Sequence, residues 1–251
     1  MQKLAFVIGG AQKSGTCSLD RLFRMHRGIE MSSKKETHFF DDETRDWAAP
    51  DYAALHAFYA EENGRLRGEA TPITLYWRPA HARLRAYNPE IRLIFLLRDP
   101  VQRAFSHWRM MYAIENDTMP FARAIREGRA RVRDEAEIEG LHRHCSYVER
   151  GFYAAQLRQV LELFPKQNVH CEIFEEFFAD RTAALERLSE FLGIAPFRRD
   201  IPDVHAYKGA EIEYPSTLTP EDARYLADLY RDDTAELENM LGRAIPAWRR
   251  D

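Results

Sequence analysis

Short apolar runs that suit buried strands recur along the chain. Residues 4–8 and 91–97 are almost entirely apolar, and residues 67–70 and 169–174 are further strand candidates. Strands that are apolar on both faces are typical of parallel sheets that helices cover on both sides. The pattern therefore predicts a parallel sheet rather than an antiparallel sheet with one solvated face.

Segments with the helical spacing of apolar residues separate these strands. They cover residues 18–26, 52–62, 121–140, 152–164, 182–192 and 220–241. A further helix is predicted to begin at Asp99-Pro100, because Asp is a good N-cap and Pro fits the first helical position. Strands alternating with helices indicate an α/β fold. We expect one domain over residues 1–251.

Composition and charge narrow the classes of function. The 251 residues carry a formal net charge of −4, so no global basic field favours nucleic acid as a partner. No apolar run approaches the roughly 20 residues of a bilayer span, and the first residues lack a signal-sequence pattern. We therefore expect a cytoplasmic protein without a membrane span. The three cysteines lack metal-ligand spacing, which predicts neither a metal site nor a disulfide framework.

A glycine-containing loop, VIGGAQKSGTCSL, joins the first strand to the first helix. Backbone N–H groups at such a turn, together with the helix dipole, suit a phosphate or sulfate. Gly10 and Gly15 have the spacing of a Walker A loop, but Thr16 stands where that loop has lysine, and Lys13 lies inside the loop. These features predict a P-loop-like three-layer fold with a central parallel sheet flanked by helices on both faces. A plain tight turn is the alternative.

The run KKETHFFDD at residues 34–42 gathers titratable side chains about twenty positions after this loop. Such density near an anion site suggests acid/base chemistry. Glu36 is our candidate for a general base, since a hydroxyl or amine acceptor must lose a proton during group transfer. The alternative is a solvated loop that buries only Phe39 and Phe40.

The third motif, LIFLLRDPVQRAFSHW, ends a strand at Arg98 and places Ser106 about two turns into the next helix. The planar guanidinium of arginine makes charge-assisted bidentate bonds to phosphate, and a serine hydroxyl adds a donor. A P-loop kinase or NTPase would instead use Asp99 to hold Mg²⁺. Pro100 disfavours that interpretation, because it explains Asp99 as a helix cap.

All three motifs resemble those of sulfotransferases that use 3′-phosphoadenosine 5′-phosphosulfate (PAPS), in particular the heparan sulfate N- and 3-O-sulfotransferases and their bacterial relatives. The resemblance implies that Lys13 neutralises charge on the departing phosphate, and that Ser14, Gly15, Thr16, Cys17 and Ser18 hold the 5′-phosphate. It implies that Arg98 and Ser106 bind the 3′-phosphate, and that Lys208 and Gly209 close over the nucleotide. It implies no metal, and adenosine 3′,5′-bisphosphate as the product.

On the acceptor side, the resemblance makes Glu36 the base, with His38 and Asp41 as supporting polar residues. Gly68-Glu69-Ala70-Thr71-Pro72 resembles a segment along the acceptor cleft of the family, which makes Thr71 a further candidate. The implied function is sulfuryl transfer to a hydroxyl or amine of a glycan or small molecule. A P-loop kinase or NTPase, and a non-catalytic nucleotide- or glycan-binding module, remain alternatives.

The acceptor and the oligomeric state stay open at this point. Five arginines between residues 123 and 133 could guide an anionic acceptor. Acidic residues around them favour a solvated charged helix instead.

Overall fold

The computed structural model describes residues 2–60, 63–133, 140–198 and 212–250. The chain forms two compact units. The first comprises Met1–Leu97 and Gln156–Tyr207, and the second comprises Arg98–Ala155 and Lys208–Asp251. That residues 1–251 make a single domain stays a prediction.

The described part of the first unit holds a five-stranded sheet in which every pairing is parallel. The strands are β1 (Phe6–Gly10), β2 (Ile29–Met31), β3 (Leu66–Ala70), β4 (Arg92–Leu97) and β5 (Val169–Ile173). Their order across the sheet is β2-β3-β1-β4-β5. The carboxyl ends of all five strands therefore lie at one edge of the sheet, with β1 in the middle.

Helices precede or follow each strand. In chain order they are α1 (Thr16–Arg24), α2 (Ala53–His56), α3 (Arg78–Tyr87), α4 (Pro100–Ala113), α5 (Phe121–Ala124), α6 (Gly128–Arg133), α7 (Leu141–Cys145), α8 (Tyr153–Leu163), α9 (Phe174–Ala179), α10 (Arg181–Leu192) and α11 (Pro220–Leu241). Short 3₁₀ turns occupy Glu149–Gly151, Lys166–Asn168 and Pro246–Trp248. None of the helices in the described ranges has the length and apolarity that crossing a membrane requires.

Alternate residues of the central strands fill the two faces of the sheet. Phe6 and Ile8 of β1, with Ile94 and Leu96 of β4, pack into one cluster with apolar side chains of α1 and α10. The residues between them, such as Val7, are also fully buried. Burial on both faces explains why β1 and β4 are almost wholly apolar, as the sequence indicated.

The second unit has its own apolar core. Val101, Ala104 and Trp108 of α4 pack against residues of α5, α7 and α11, among them Phe121 and Tyr230. Thr219 caps α11 by accepting from the N–H of Asp222 at 3.1 Å, and Pro220 follows at the first helical position. These signals explain why the predicted boundaries of this helix, residues 220–241, agree with the structure.

The α/β prediction with a central parallel sheet is confirmed, and several element predictions need correction. β1 begins two residues later than predicted and ends two residues later, at Gly10. Of the helix predicted over residues 52–62, the structure forms the four-residue α2, and residues 61–62 lie outside the described residues. The helix predicted over residues 121–140 is divided into α5 and α6, and residues 134–139 lie outside the described residues. β2, α3, α7 and α9 had no predicted counterpart.

Gly68 in β3 offers a test of how tightly β1 and β3 approach. A Cβ built on Gly68 would lie 2.0 Å from Cζ of the fully buried Phe6. We expect Gly68→Ala to lower the free energy of unfolding by about 1–3 kcal/mol through overpacking. Denaturant titration would measure the loss. Combining it with Phe6→Leu should cost less than the sum of the single substitutions, and strict additivity would contradict the clash.

Candidate active site

The loop after β1 leads directly into α1 at the carboxyl edge of the sheet. The N–H of Ala11 donates to the carbonyl of Leu96 at 2.8 Å, and that of Ser14 donates to the carbonyl of Ala11 at 3.1 Å. Gly15, the N-cap residue immediately before α1, has a φ of 84°, a left-handed value that glycine adopts without a Cβ clash. The first N–H groups of a helix have no carbonyl partner within it. An anion is therefore the ligand that this loop suits.

The side chains of the loop are consistent with such a ligand. Ser14 is fully buried, and no described residue forms a hydrogen bond with its Oγ. Thr16 and Ser18 are also buried, whereas Lys13 is half-buried and Cys17 is exposed. A buried hydroxyl that lacks a partner costs free energy, and a bound phosphate oxygen would offset this cost. The residues present thus fit a phosphate group.

The segment after β2 carries the second motif and forms a chain of charged contacts. Lys35 Nζ donates to Glu36 Oε1, and Glu36 Oε2 lies 3.6 Å from His38 Nε2. The other ring nitrogen of His38, Nδ1, lies 2.8 Å from Oδ2 of the buried Asp41. The structure therefore brings together three predicted site residues, Glu36, His38 and Asp41. Lys35 also interacts electrostatically with Cys17, the second residue of α1, so this segment lies beside the start of α1.

These contacts shift the pKa values of the side chains. Burial would raise the pKa of Glu36, but its contacts with His38 and Lys35 outweigh burial and lower the pKa to about 2. Contacts with Asp41 and Glu36 raise the pKa of His38 to about 9, although burial opposes the shift. Burial would lower the pKa of Lys35, yet Glu36 and Cys17 raise it above the usual value. Glu36 is thus ionised and His38 protonated at neutral pH.

Backbone strain is concentrated in the two motifs. Among the residues that the structure describes, four non-glycine residues have positive φ. Three of these are Lys13 at 70°, Glu36 at 58° and His38 at 53°, and the fourth is Glu115. Left-handed backbone is unfavourable for residues with a Cβ and tends to persist at functional sites. No residue type in these motifs indicates this strain.

Glu69 in β3 is a buried carboxylate that the sequence reasoning did not assign to the site. Its Oε2 accepts hydrogen bonds from the hydroxyl of Thr37 and from Oγ1 of Thr71, the latter at 3.2 Å. Burial raises the pKa of Glu69 to about 7 against the effect of the Thr37 hydrogen bond. The predicted acceptor residue Thr71 is itself buried, and its hydroxyl points to Glu69.

Arg98 and Ser106 of the third motif lie in the second unit. Arg98 is the first residue after β4 and is half-buried, and Ser106 is half-buried in α4. Asp99 caps α4, since its Oδ1 accepts from the N–H of Val101 at 2.9 Å, and its Oδ2 accepts from Arg250. The helix cap predicted for Asp99 is confirmed. Lys208 and Gly209 lie outside the described residues.

The arginines of the basic stretch are used in ion pairs where their side chains are described. Arg123 pairs with Glu127 at 2.7 Å. Arg126 pairs with Asp222 at 2.6 Å, and Arg129 pairs with Glu149 at 2.9 Å. These pairs agree with a charged helical surface and give no support to a path for an anionic acceptor.

Residues 4–207 match the family model described as a sulfotransferase domain. The chain is 27% identical over 260 residues to heparan sulfate glucosamine 3-O-sulfotransferase 3A1 of Mus musculus, an alignment that covers 94% of this chain and 62% of that protein. It is 29% identical over 214 residues to heparan sulfate glucosamine 3-O-sulfotransferase 6 of Homo sapiens, covering 83% of this chain and 57% of that protein. The chain thus spans about three fifths of the length of these relatives.

A solved structure is similar over the whole chain. The crystal structure of a sulfotransferase from Alicyclobacillus acidocaldarius superposes with a TM-score of 0.81 at 28% sequence identity, and the match covers 100% of both chains.

The raised pKa of His38 predicts a pH-dependent contribution to stability. The imidazolium contacts stabilise the fold fully below the ordinary pKa of about 6.5 and are lost as the pH rises through about 9. We therefore expect His38→Gln to lower the melting temperature at pH 6, with the difference from wild type shrinking as the pH passes 9.

Thermal unfolding at several pH values would measure this difference. His142→Gln in α7 is the control, because it removes an imidazole outside this network. A deficit of His38→Gln that stays constant across the pH range would contradict the assignment.

Proposed function

The chain belongs to the sulfotransferase family, and on this basis we propose that it transfers a sulfuryl group from PAPS to a hydroxyl or amine of an acceptor. The observation that carries the proposal is the hydrogen bond from Lys35 to Glu36 beside the start of α1, where Cys17 interacts electrostatically with the same lysine. A carboxylate that can accept a proton therefore lies near residues 11–18, which form the phosphate-binding loop and the first turn of α1. Proton acceptance beside an anion site is the chemistry that group transfer from a nucleotide requires.

PAPS fits the loop on structural grounds. The buried Oγ of Ser14 lacks a partner among the described residues, and the start of α1 presents N–H groups without intrahelical partners. Ser14 to Ser18 would hold the 5′-phosphate, with Arg98 and Ser106 binding the 3′-phosphate. When bound, PAPS would supply the sulfuryl group, and adenosine 3′,5′-bisphosphate would be the leaving group. The roles of Arg98 and Ser106 rest on the sequence motif.

Glu36 acts as the general base in this proposal. In the structure its negative charge is held by Lys35 and His38, so a pKa of about 2 makes it a weak base. An acceptor hydroxyl that replaces the contact with His38 removes one of the contacts that lower the pKa. Burial, which is the largest single effect on Glu36, then raises the pKa and strengthens the base. The proton of the acceptor passes to the Glu36 carboxylate as the acceptor oxygen or nitrogen bonds to sulfur.

Two further candidate residues, Lys13 and His38, carry positive charge in this proposal. Lys13 places an ammonium group in the loop, where it stabilises negative charge on the departing phosphate oxygen. His38 is oriented by Asp41 at 2.8 Å and holds the Glu36 carboxylate until the acceptor arrives. No metal ion enters this mechanism. We propose a glycan or small molecule as the acceptor, the first class being suggested by the names of the relatives.

Calorimetry tests the donor. We expect adenosine 3′,5′-bisphosphate to bind with a Kd of about 1–100 μM, equally in Mg²⁺ and in EDTA, and Arg98→Ala to weaken binding by about tenfold or more. ATP serves as the competing ligand in both buffers. Tighter binding of Mg²⁺-ATP than of the bisphosphate would favour the kinase alternative and contradict the proposal.

Turnover tests the base. With [³⁵S]PAPS and a panel of N-sulfated heparosan, unsulfated chondroitin and 4-nitrophenol as acceptors, we expect Glu36→Gln to lower kcat by about 10²–10⁴-fold. Its affinity for the bisphosphate should stay within about threefold of wild type, because the proton acceptor is not a phosphate ligand.

Asp46→Asn is the matched control for this substitution. Asp46 is exposed in the same segment, and its Oδ1 accepts from the N–H of Ala48 at 2.9 Å, a bond that asparagine can keep. Wild-type turnover by Glu36→Gln would exclude Glu36 as the base. Bisphosphate binding without turnover of any acceptor by wild type would favour the non-catalytic binding module.

A further inference from the structure

Glu69 is a buried acid that forms hydrogen bonds, but no close ion pair, with the residues that the structure describes. It is 1% exposed, and its Oε2 is held by the hydroxyls of Thr37 and Thr71. Burying a carboxyl group is costly unless its polar atoms are hydrogen-bonded. A position in the middle of a sheet would ordinarily hold an apolar residue. The group therefore serves a purpose that an apolar side chain could not serve.

Thr37, the partner of Glu69, stands between the two strained residues of the candidate site. Glu36 and His38 have φ values of 58° and 53°, and Thr37 is 7% exposed. The same segment is docked to the end of β3 by the N–H of Glu36, which donates to the carbonyl of Ala70 at 3.0 Å. Unfavourable backbone persists only where surrounding contacts determine it. The hydrogen bonds from Thr37 to Glu69 and from Glu36 to Ala70 are such contacts, and we call them the anchors on β3.

We propose that Glu69 is a positioning residue that acts through Thr37 to hold the strained backbone of residues 36–38. In this arrangement the Glu36 carboxylate and the His38 imidazole face each other at 3.6 Å. Glu69 is buried and does not touch the acceptor. The catalytic meaning of this inference rests on the proposed function, whereas the structural link from Glu69 to His38 does not.

The charged and titratable groups around Glu69 decide which variant is informative. Asp41 and His38 interact with it electrostatically from the segment after β2, as do Tyr59 from the turn that follows α2 and Tyr87 from α3. Replacing Glu69 itself would change the charge near His38. Replacing Thr37 by valine removes the anchor with nearly the same shape and leaves every ionisable side chain in place.

The titration of His38 is the first measurement, because it needs neither an acceptor nor turnover. Imidazole ¹H–¹⁵N NMR of histidine-labelled protein resolves the nine histidines, and His38→Gln assigns the signal of His38. We expect an apparent pKa of about 9 in wild type, and a fall of about one unit or more in Thr37→Val. Thr37→Ser, which keeps the hydroxyl, should restore the wild-type value.

Two further variants guard against a trivial loss of fold. Ser189→Ala removes another buried hydroxyl, one that donates to the carbonyl of Leu185 in α10, and should leave the titration of His38 unchanged. Thr37→Ala replaces Thr37→Val if the latter does not fold. An unchanged pKa of His38 in a folded Thr37→Val or Thr37→Ala variant would overturn the proposal.

Kinetics then separates this proposal from the proposed function. If wild type turns over any acceptor of the panel, Thr37→Val should lower kcat by about tenfold or more with little change in bisphosphate affinity, and Thr37→Ser should recover it. If wild type turns over none, the proposed function fails while the shift of His38 still supports the link. A tenfold loss of bisphosphate affinity in Thr37→Val, with kcat unchanged, would instead contradict a role in positioning Glu36.

Discussion

Strand β1 pairs with β3 on one side and with β4 on the other, and the candidate groups of the first unit are placed by this arrangement. Because all pairings are parallel, the segments that follow β1, β2 and β3 leave the sheet at the same edge. The phosphate-binding loop, the acid/base segment at residues 34–42 and Thr71 are therefore neighbours, although up to about sixty residues separate them in the sequence. The carboxyl ends of the strands are also where open α/β sheets generally bind their ligands.

The neighbouring segments adopt conformations that their own residues disfavour. Lys13, Glu36 and His38 have left-handed backbone, at a cost on the order of 1–3 kcal/mol each. Contacts on the adjoining strands offset this cost. The carbonyl of Ala70 and the carboxylate of Glu69 hold the acid/base segment. The local strain is thus a property of the sheet edge as a whole, and the stability of β3 bears on the chemistry of the segment after β2.

The elements that could be predicted from the sequence are those with a continuous apolar run or with clear boundary residues. β1 and β4 are apolar on both faces, and α11 carries its boundary signals in Thr219, Pro220 and Gly242. β2 has only three residues, and its central Glu30 is buried in an ion pair with Arg67 at 3.1 Å, so no apolar run marks it. This strand depends on tertiary contacts with β3, which the pattern of apolar residues does not indicate.

In the candidate site, likewise, some residues could be predicted from the sequence and others could be found only from the structure. The motifs contained Glu36, His38 and Asp41 at recognisable spacing, and the structure brings their side chains together. Glu69 stands in the segment that resembles the acceptor cleft of the family, but the sequence indicated no role for its carboxylate. Its burial and its bond to Thr37 depend on the register of β3, which side-chain spacing does not encode. The positive φ values are likewise consequences of packing rather than of residue type.

The exposure of Cys17 has a practical consequence for spectroscopy. Cys145 is buried and Cys171 is half-buried, so a maleimide fluorophore would label Cys17 in preference to both. Because Cys17 belongs to the proposed 5′-phosphate site, an attached dye would obstruct the nucleotide there. Protection of the Cys17 thiol from labelling, rather than the labelled protein itself, would therefore report the entry of a ligand.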